Sequence, residues 1–201
     1  MTDSWDSAAD GWDNNADVRH YSEMAFAAWQ DRLCDSTPDL AQGRVLDFGC
    51  GTGLLAEKFA PLCRQVVAID PSAAMIDVLK AKIAGRDIEN ITALPITVDA
   101  DNAAAEPALA EPFDLIVASS VCSFLADYEA TLQTLTTLLK PGGVFVQWDW
   151  AADMPEDRIR NAFDKAGLRA DVIAEVFAME MGDSAMPVVM GAGQVHINAY
   201  P

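Results

Sequence analysis

Val45-Leu46-Asp47-Phe48-Gly49-Cys50-Gly51-Thr52-Gly53 carries the most specific pattern in the chain. An apolar run ends in three glycines at every second position, and a helical pattern (Leu54, Leu55, Lys58, Phe59, Leu62) follows at once. That order predicts a buried strand, a tight turn and a helix. Glycine permits positive φ and lets main chain approach a ligand with no Cβ in between. The helix behind the turn offers unpaired N–H groups at its start. In an open α/β sheet, ligands bind at such carboxyl ends of parallel strands. One glycine would serve a plain structural turn; three in alternation, after an acid inside the apolar run, go beyond that need.

The spacing separates nucleotide classes. A dinucleotide fingerprint, G-x-G-x-x-G, would need glycine at position 54, where Leu54 stands. A phosphate-binding P-loop would need Gly-Lys-Ser/Thr, which is missing. The nonamer resembles the first motif of the class I S-adenosylmethionine-dependent methyltransferases. The resemblance implies an α/β, Rossmann-like, doubly wound sheet of seven strands in the order 3-2-1-4-5-7-6, the last antiparallel, with an N-terminal helical lid. It implies S-adenosylmethionine as cofactor and methyl transfer to a small molecule by direct displacement. On the first motif it places Asp47, Gly49, Cys50 and Gly51 against the cofactor.

The chain's bulk properties narrow the partners. With 201 residues, 51% of them hydrophobic, it suits one domain with a large core. Residues 1–40 read as an arm with a lid helix and 41–197 as the methyltransferase domain. No apolar run reaches the roughly 18 residues that span a membrane, and the acidic start, Met1 to Ala16, is unlike a signal peptide. Cys34, Cys50, Cys63 and Cys122 are scattered without a C-x-x-C pair. Reduced cysteines in a cytoplasmic protein with no metal site are therefore expected. The net charge is −18, from 31 acids against 13 Lys and Arg. Nucleic acid and anionic membrane surfaces are disfavoured, since both are bound through basic groups. The acidity suits a cationic or amine-bearing partner, or simply solubility. The sequence leaves oligomeric state open.

Outward from the turn, further landmarks follow. Gln65 to Ile69 predicts a second buried strand ending at Asp70, 21 residues after Gly49. An acid at about that distance accepts bonds from ribose hydroxyls; as an alternative or in addition it caps the helix that Pro71 and Ser72 open. Met75, one turn into that helix, is core or a soft contact to adenine, and the resemblance implies adenine. A third strand is expected at Ile96-Thr97-Val98. The resemblance then gives Asp99 the adenine amine and the N–H of Ala100 a ring nitrogen, with Asp101 as a nearby alternative acid. Phe113 to Ser120 predicts a fourth strand with a structural Asp114 at its start and Ser119 at the ligand edge. The loop beyond it carries Cys122 and Ser123 where many small-molecule relatives carry a histidine.

A helix from Tyr128 to Leu139 and the turn Lys140-Pro141-Gly142-Gly143 lead to a fifth strand, Val144 to Trp148. Alternation puts Trp148 and Trp150 on one face and Asp149 on the other. That cluster either holds or deprotonates an amine or closes the sheet edge. A helix from Pro155 to Ala166 and an edge hairpin, Asp171–Met181 with Met186–Val195, complete the pattern. Trp5 and Trp12 in the polar leader, ahead of a helix over Asp17–Leu33, either pack the arm down or close it over the ligand. His20 on that helix is a candidate base beside Asp149. A general base is needed only where the nucleophile is protonated. The alternative function is a catalytically silent adenosylmethionine-binding regulatory or scaffold protein.

Overall fold

The structure is a computed structural model that describes residues 2–34, 37–99, 103, 105–182 and 184–196. Seven strands form one sheet: β1 (Arg44–Phe48), β2 (Gln65–Ile69), β3 (Ile91–Leu94), β4 (Phe113–Ser119), β5 (Leu139–Trp150), β6 (Leu168–Met181) and β7 (Ser184–Val195). Their order is β3-β2-β1-β4-β5-β7-β6, the one the glycine motif's resemblance implies. Strand β7 alone is antiparallel to its neighbours β5 and β6. The helices are α1 (Thr2–Ala8), α2 (Ala16–Leu33), α3 (Leu54–Phe59), α4 (Ala73–Gly85), α5 (Tyr128–Thr137) and α6 (Glu156–Ala166). Among the described residues no helix is long and apolar enough to cross a membrane.

Strand β1 is buried along its whole length, as a central parallel strand covered on both faces must be. Its alternate residues feed two cores. Val45 joins Val66, Leu115, Leu55, Phe59 and Leu79 on the face covered by α2, α3 and α4. Leu46 and Phe48 join Val67, Ile116, Leu132 and Phe163 on the face covered by α5 and α6. The arm belongs to the first core: Trp29 of α2 stacks edge-on against Phe59 at 4.8 Å. Asp114 is structural, as expected. It accepts the Arg44 N–H at 2.8 Å and pairs with Lys140 at 2.8 Å, tying the starts of β1, β4 and β5.

Two expected strands shift. The third runs over Ile91–Leu94, not Ile96–Val98. Pro95 lacks an N–H and ends the ladder, and Ile96–Val98 becomes a connection whose side chains serve the site. The fifth begins at Leu139 rather than Val144: Leu139 pairs with Phe113 and Val144 with Leu115, the intervening residues forming a bulge.

Candidate functional site

The chain reverses direction across the sheet between β1 and β4, so their outgoing turns diverge and leave a crevice at the carboxyl edge. A cavity of about 640 Å³ sits there, within the roughly 300–1,000 Å³ range of small-molecule sites. Its base is the glycine turn. Gly49, Gly51 and Gly53 all have positive φ, at 69°, 52° and 82°. The N–H groups of Gly49 and Cys50 both donate to the Ile69 carbonyl, at 2.8 and 3.0 Å. A Cβ on Gly49 would lie 2.4 Å from Val121 Cγ2, and one on Gly53 2.4 Å from Leu79 Cδ1. By contrast, a Cβ on Gly51 would find only Trp12 Nε1, 4.0 Å away. The first and third glycines thus let protein pack on protein, and the middle one faces the cavity.

Asp70 braces this turn. Its Oδ2 accepts the Gly51 N–H at 2.9 Å and its Oδ1 the Ser72 N–H at 2.8 Å. The helix cap expected of Asp70 falls instead to Ser72, whose hydroxyl accepts from Met75 N at 3.2 Å. Burial raises the Asp70 pKa despite both bonds. Asp47 lies deeper, 1% exposed. Burial, with the Asp70 charge adding, raises its pKa to about 7, against the Ala56 N–H bond that lowers it. Its Oδ2 is buried without a hydrogen-bond partner, although it belongs to a residue that lines the cavity. Buried polar atoms are almost always paired, and this oxygen is an exception.

Around that base stand Pro71 and Met75 from the start of α4, Ile96 to Val98 after β3, and Ser119 to Val121 after β4. The far wall is Trp150 at the end of β5, Met179 of β6 and Phe124. The arm closes the cavity with Trp5, Trp12, Val18 and Tyr21. It is fastened at two points: Asp6 accepts the Ser72 hydroxyl at 2.5 Å, and Asp13 accepts from Thr52 Oγ1 and from Lys82 Nζ, the latter at 2.8 Å.

Residues 46–145 match the family described as "Methyltransferase domain". The chain is 31% identical over 169 residues to an uncharacterized methyltransferase of Geobacillus kaustophilus, a match that covers 83% of this chain and 71% of that protein.

This chain belongs to the class I S-adenosylmethionine-dependent methyltransferases.

Against the ubiquinone biosynthesis O-methyltransferase of Nitrobacter winogradskyi the methyltransferase is 36% identical over 114 residues, 57% of its own length. It spans less than half of that relative, 41%, and 36% of an uncharacterized Schizosaccharomyces pombe methyltransferase. Its fold matches the N-methyltransferase NodS of Bradyrhizobium japonicum, solved with S-adenosyl-L-homocysteine, with a TM-score of 0.66, 19% identity, and coverage of 91% and 89% of the two chains.

Within the methyltransferase, Asp47, Gly49, Cys50, Gly51, Asp70, Pro71, Met75 and Ser119 all line the one cavity. Asp99 is exposed, one residue beyond cavity-lining Val98, and Ala100 lies outside the described residues. Two candidates do not reach it. His20 is exposed and absent from the lining, because helical spacing sets Val18, Tyr21 and Ser22 toward the cavity, with Asp17 at its exposed rim, and leaves position 20 outside. Asp149 does stand opposite Trp148 and Trp150 by alternation, but it is sealed in the second core at 0% exposure. There it accepts from Ser123 N at 3.3 Å and Gln147 Nε2 at 3.0 Å, and burial raises its pKa to about 7. The base role expected of these two has no geometric support. Met179, Phe124 and the Ile96–Val98 connection were not singled out from sequence, since only the chain path brings them to the crevice.

Asp47 has a measurable consequence for stability. Its folded pKa, about 7, is above the usual carboxylate value of 3.8, so the folded state keeps a proton that the unfolded chain has released. Stability from this group is complete below about pH 4 and is lost as pH rises to about 7. Asp47→Asn in the ligand-free protein should remove a fall of unfolding free energy on the order of 2–4 kcal/mol across that window, and so flatten the fall of Tm over it. Parallel melting curves of the two proteins at every pH would contradict the assignment.

Proposed function

We propose that this protein transfers a methyl group from S-adenosylmethionine to a small-molecule acceptor, with residues 1–40 as a closing arm on a body spanning 41–197. The observation that carries the reading is the pairing of a bare glycine turn with two carboxylates in one crevice: Asp70 braced beside Gly51, and Asp47 with an oxygen lacking a donor. Asp70 would hold the ribose hydroxyls, Met75 and the Ile96–Val98 connection would flank the base, and Asp47 would take the amino-acid end. Gly49, Cys50 and Gly51 would offer main chain, with Pro71 and Ser119 as walls. Asp99 and Ala100 stay as proposed contacts to the adenine edge.

When bound, S-adenosylmethionine supplies an electrophilic methyl group on a sulfonium. The protein's share is positioning and exclusion of water. Trp5 and Trp12 cover the crevice, and Tyr21 is fixed by its hydroxyl's bond to the Trp148 carbonyl at 3.0 Å. Burial raises the Tyr21 pKa well above its ordinary value, so that hydroxyl is no base. No histidine or lysine lines the cavity among the described residues, and catalysis would rest on alignment. A small acceptor is supported by the cavity's size and by relatives named for O-methylation in ubiquinone biosynthesis. Four cysteines, none of them in a disulfide, support a reducing, cytoplasmic setting.

Calorimetry with S-adenosylhomocysteine, followed by turnover of the methyl donor against pooled amines, phenols and acids, tests this. Nucleoside binding with turnover is expected. No binding would remove the reading, and binding without turnover across the pool would favour a silent regulatory or scaffold role.

The arm's fastening makes a further expected result. Removing the Asp13–Lys82 pair with Lys82→Met leaves Glu57 paired to Arg86 at 2.8 Å. A partly exposed ion pair is worth about 1 kcal/mol, so the dissociation rate of S-adenosylhomocysteine should rise about fivefold. Stopped-flow fluorescence of the arm's tryptophans reads it, and an unchanged rate would show that the arm does not gate release.

A further inference from the structure

The cavity that holds the glycine turn and its carboxylates also carries aromatic walls, which form a chamber within it. On one side Trp5 meets Trp12 and Phe124 edge-on, with ring centroids at 5.8 and 5.4 Å. On the other, Tyr21 leans on Trp150 at 5.2 Å and meets Phe177 edge-on at 5.4 Å. The Tyr21 hydroxyl is committed to the Trp148 carbonyl, so Tyr21 brings its ring rather than a free polar tip. Every ionisable side chain of Asp, Glu, Lys, Arg or His type that lines the cavity, among the described residues, is an acid: Asp17, Asp47 and Asp70. The nearby ammonium of Lys82 is held outside by Asp13 and Glu57. Asp47, inside β1, and Asp70, just after β2, belong to the proposed nucleoside site. Asp17, exposed at the first turn of α2, is at the chamber's rim.

We infer that the acceptor is a small amine with an apolar or aromatic body, bound by its ring among Trp5, Phe124, Tyr21 and Trp150 with its nitrogen against aromatic faces and acid. Aromatic faces carry negative potential and attract ammonium groups, more strongly where water is excluded. The same chamber repels a carboxylate or phosphate, for which it has no cation to offer. This rests on the methyltransferase reading of the crevice. For transfer, the nitrogen sheds a proton to solvent at the Asp17 rim. Its freed electron pair forms the new N–CH3 bond, and the pair of the broken C–S bond returns to sulfur, leaving the thioether product.

The test uses the full chain saturated with S-adenosylhomocysteine, titrated by calorimetry with three ligands of matched shape: 2-phenylethylamine, 2-phenylethanol and 3-phenylpropionate. The amine should bind about tenfold more tightly than either partner, the scale of a desolvated cation–π contact. Phe124→Leu, at a side chain 49% exposed and outside both cores, and Trp150→Leu should each cut that preference to about threefold or less while S-adenosylhomocysteine still binds. Equal or tighter binding of the alcohol or the carboxylate, or no binding of any of the three with the nucleoside in place, overturns the acceptor class alone. If the nucleoside itself does not bind, the reading of the crevice fails, and the inference with it.

Discussion

Gly49→Ala is expected to destabilise the protein by about 2–5 kcal/mol and to weaken S-adenosylhomocysteine binding by more than about 100-fold, combining a backbone cost of roughly 1–2 kcal/mol with an overpacking cost of roughly 1–3 kcal/mol. The first cost comes from φ of +69°, a conformation that L side chains rarely adopt. The second comes from Val121: the new Cβ would lie 2.4 Å from its Cγ2 and 2.8 Å from its Cβ. Val121 cannot easily retreat, because it is β-branched and follows Ser120, itself at φ of +54°. The turn must move instead, and with it the N–H pair held by Ile69 and the Gly51 N–H held by Asp70. Gly49→Ala with Val121→Ala should restore part of the stability, by removing the clash but not the φ cost. Gly85→Ala is the control, since nothing lies within 4 Å of the added atom. Thermal melts and calorimetry read both quantities; a Gly49→Ala protein that melts and binds like the original would remove the proposed role of the turn.

Asp70→Ala should weaken binding of S-adenosylmethionine by roughly 1.5–3 kcal/mol, the scale of a hydrogen bond to a charged group, or about 10- to 150-fold. Asp70 also holds Gly51 N and Ser72 N, so the loss has a second source in a loosened turn. Asp70→Asn separates the two. It keeps one acceptor oxygen for the main chain but presents a donor where the carboxylate offered only lone pairs. If ribose recognition dominates, Asn binds nearly as poorly as Ala while melting close to the original. If bracing dominates, Asn recovers only the part of the affinity that one of the two main-chain bonds supplies. An unchanged dissociation constant for Ala by calorimetry would refute the ribose assignment.

Much of the site was legible because its signals are local. A glycine at every second position after a buried run marks a strand that must turn sharply under a ligand, whatever surrounds it. An acid about 20 residues later, at the end of the next apolar run, follows from the length of one strand-helix-strand unit. The misplacements have local causes of another kind. Ile96-Thr97-Val98 has strand composition, yet Pro95 precedes it and denies the ladder a donor, so pairing ends at Leu94. His20 has the right chemistry on the right helix but lies between the inward rows, and a short amphipathic pattern does not settle which row faces the ligand. Asp149 sits next to two tryptophans in sequence, and the pleat that sends them to one core sends it to the other.

The amino-acid order alone gave away the buried strands and set Asp47 and Asp70 beside the glycine turn, because these depend on periodicity and spacing along the chain; the order of the strands came from the resemblance that the glycine motif carries. How the arm is fastened and what walls the rest of the cavity emerge from the packing of distant segments. Asp13 meets Lys82 across 69 positions, and Tyr21 reaches the Trp148 carbonyl across 127. Such partners are chosen by how helices dock on the sheet, a three-dimensional fit in which sequence distance carries no weight.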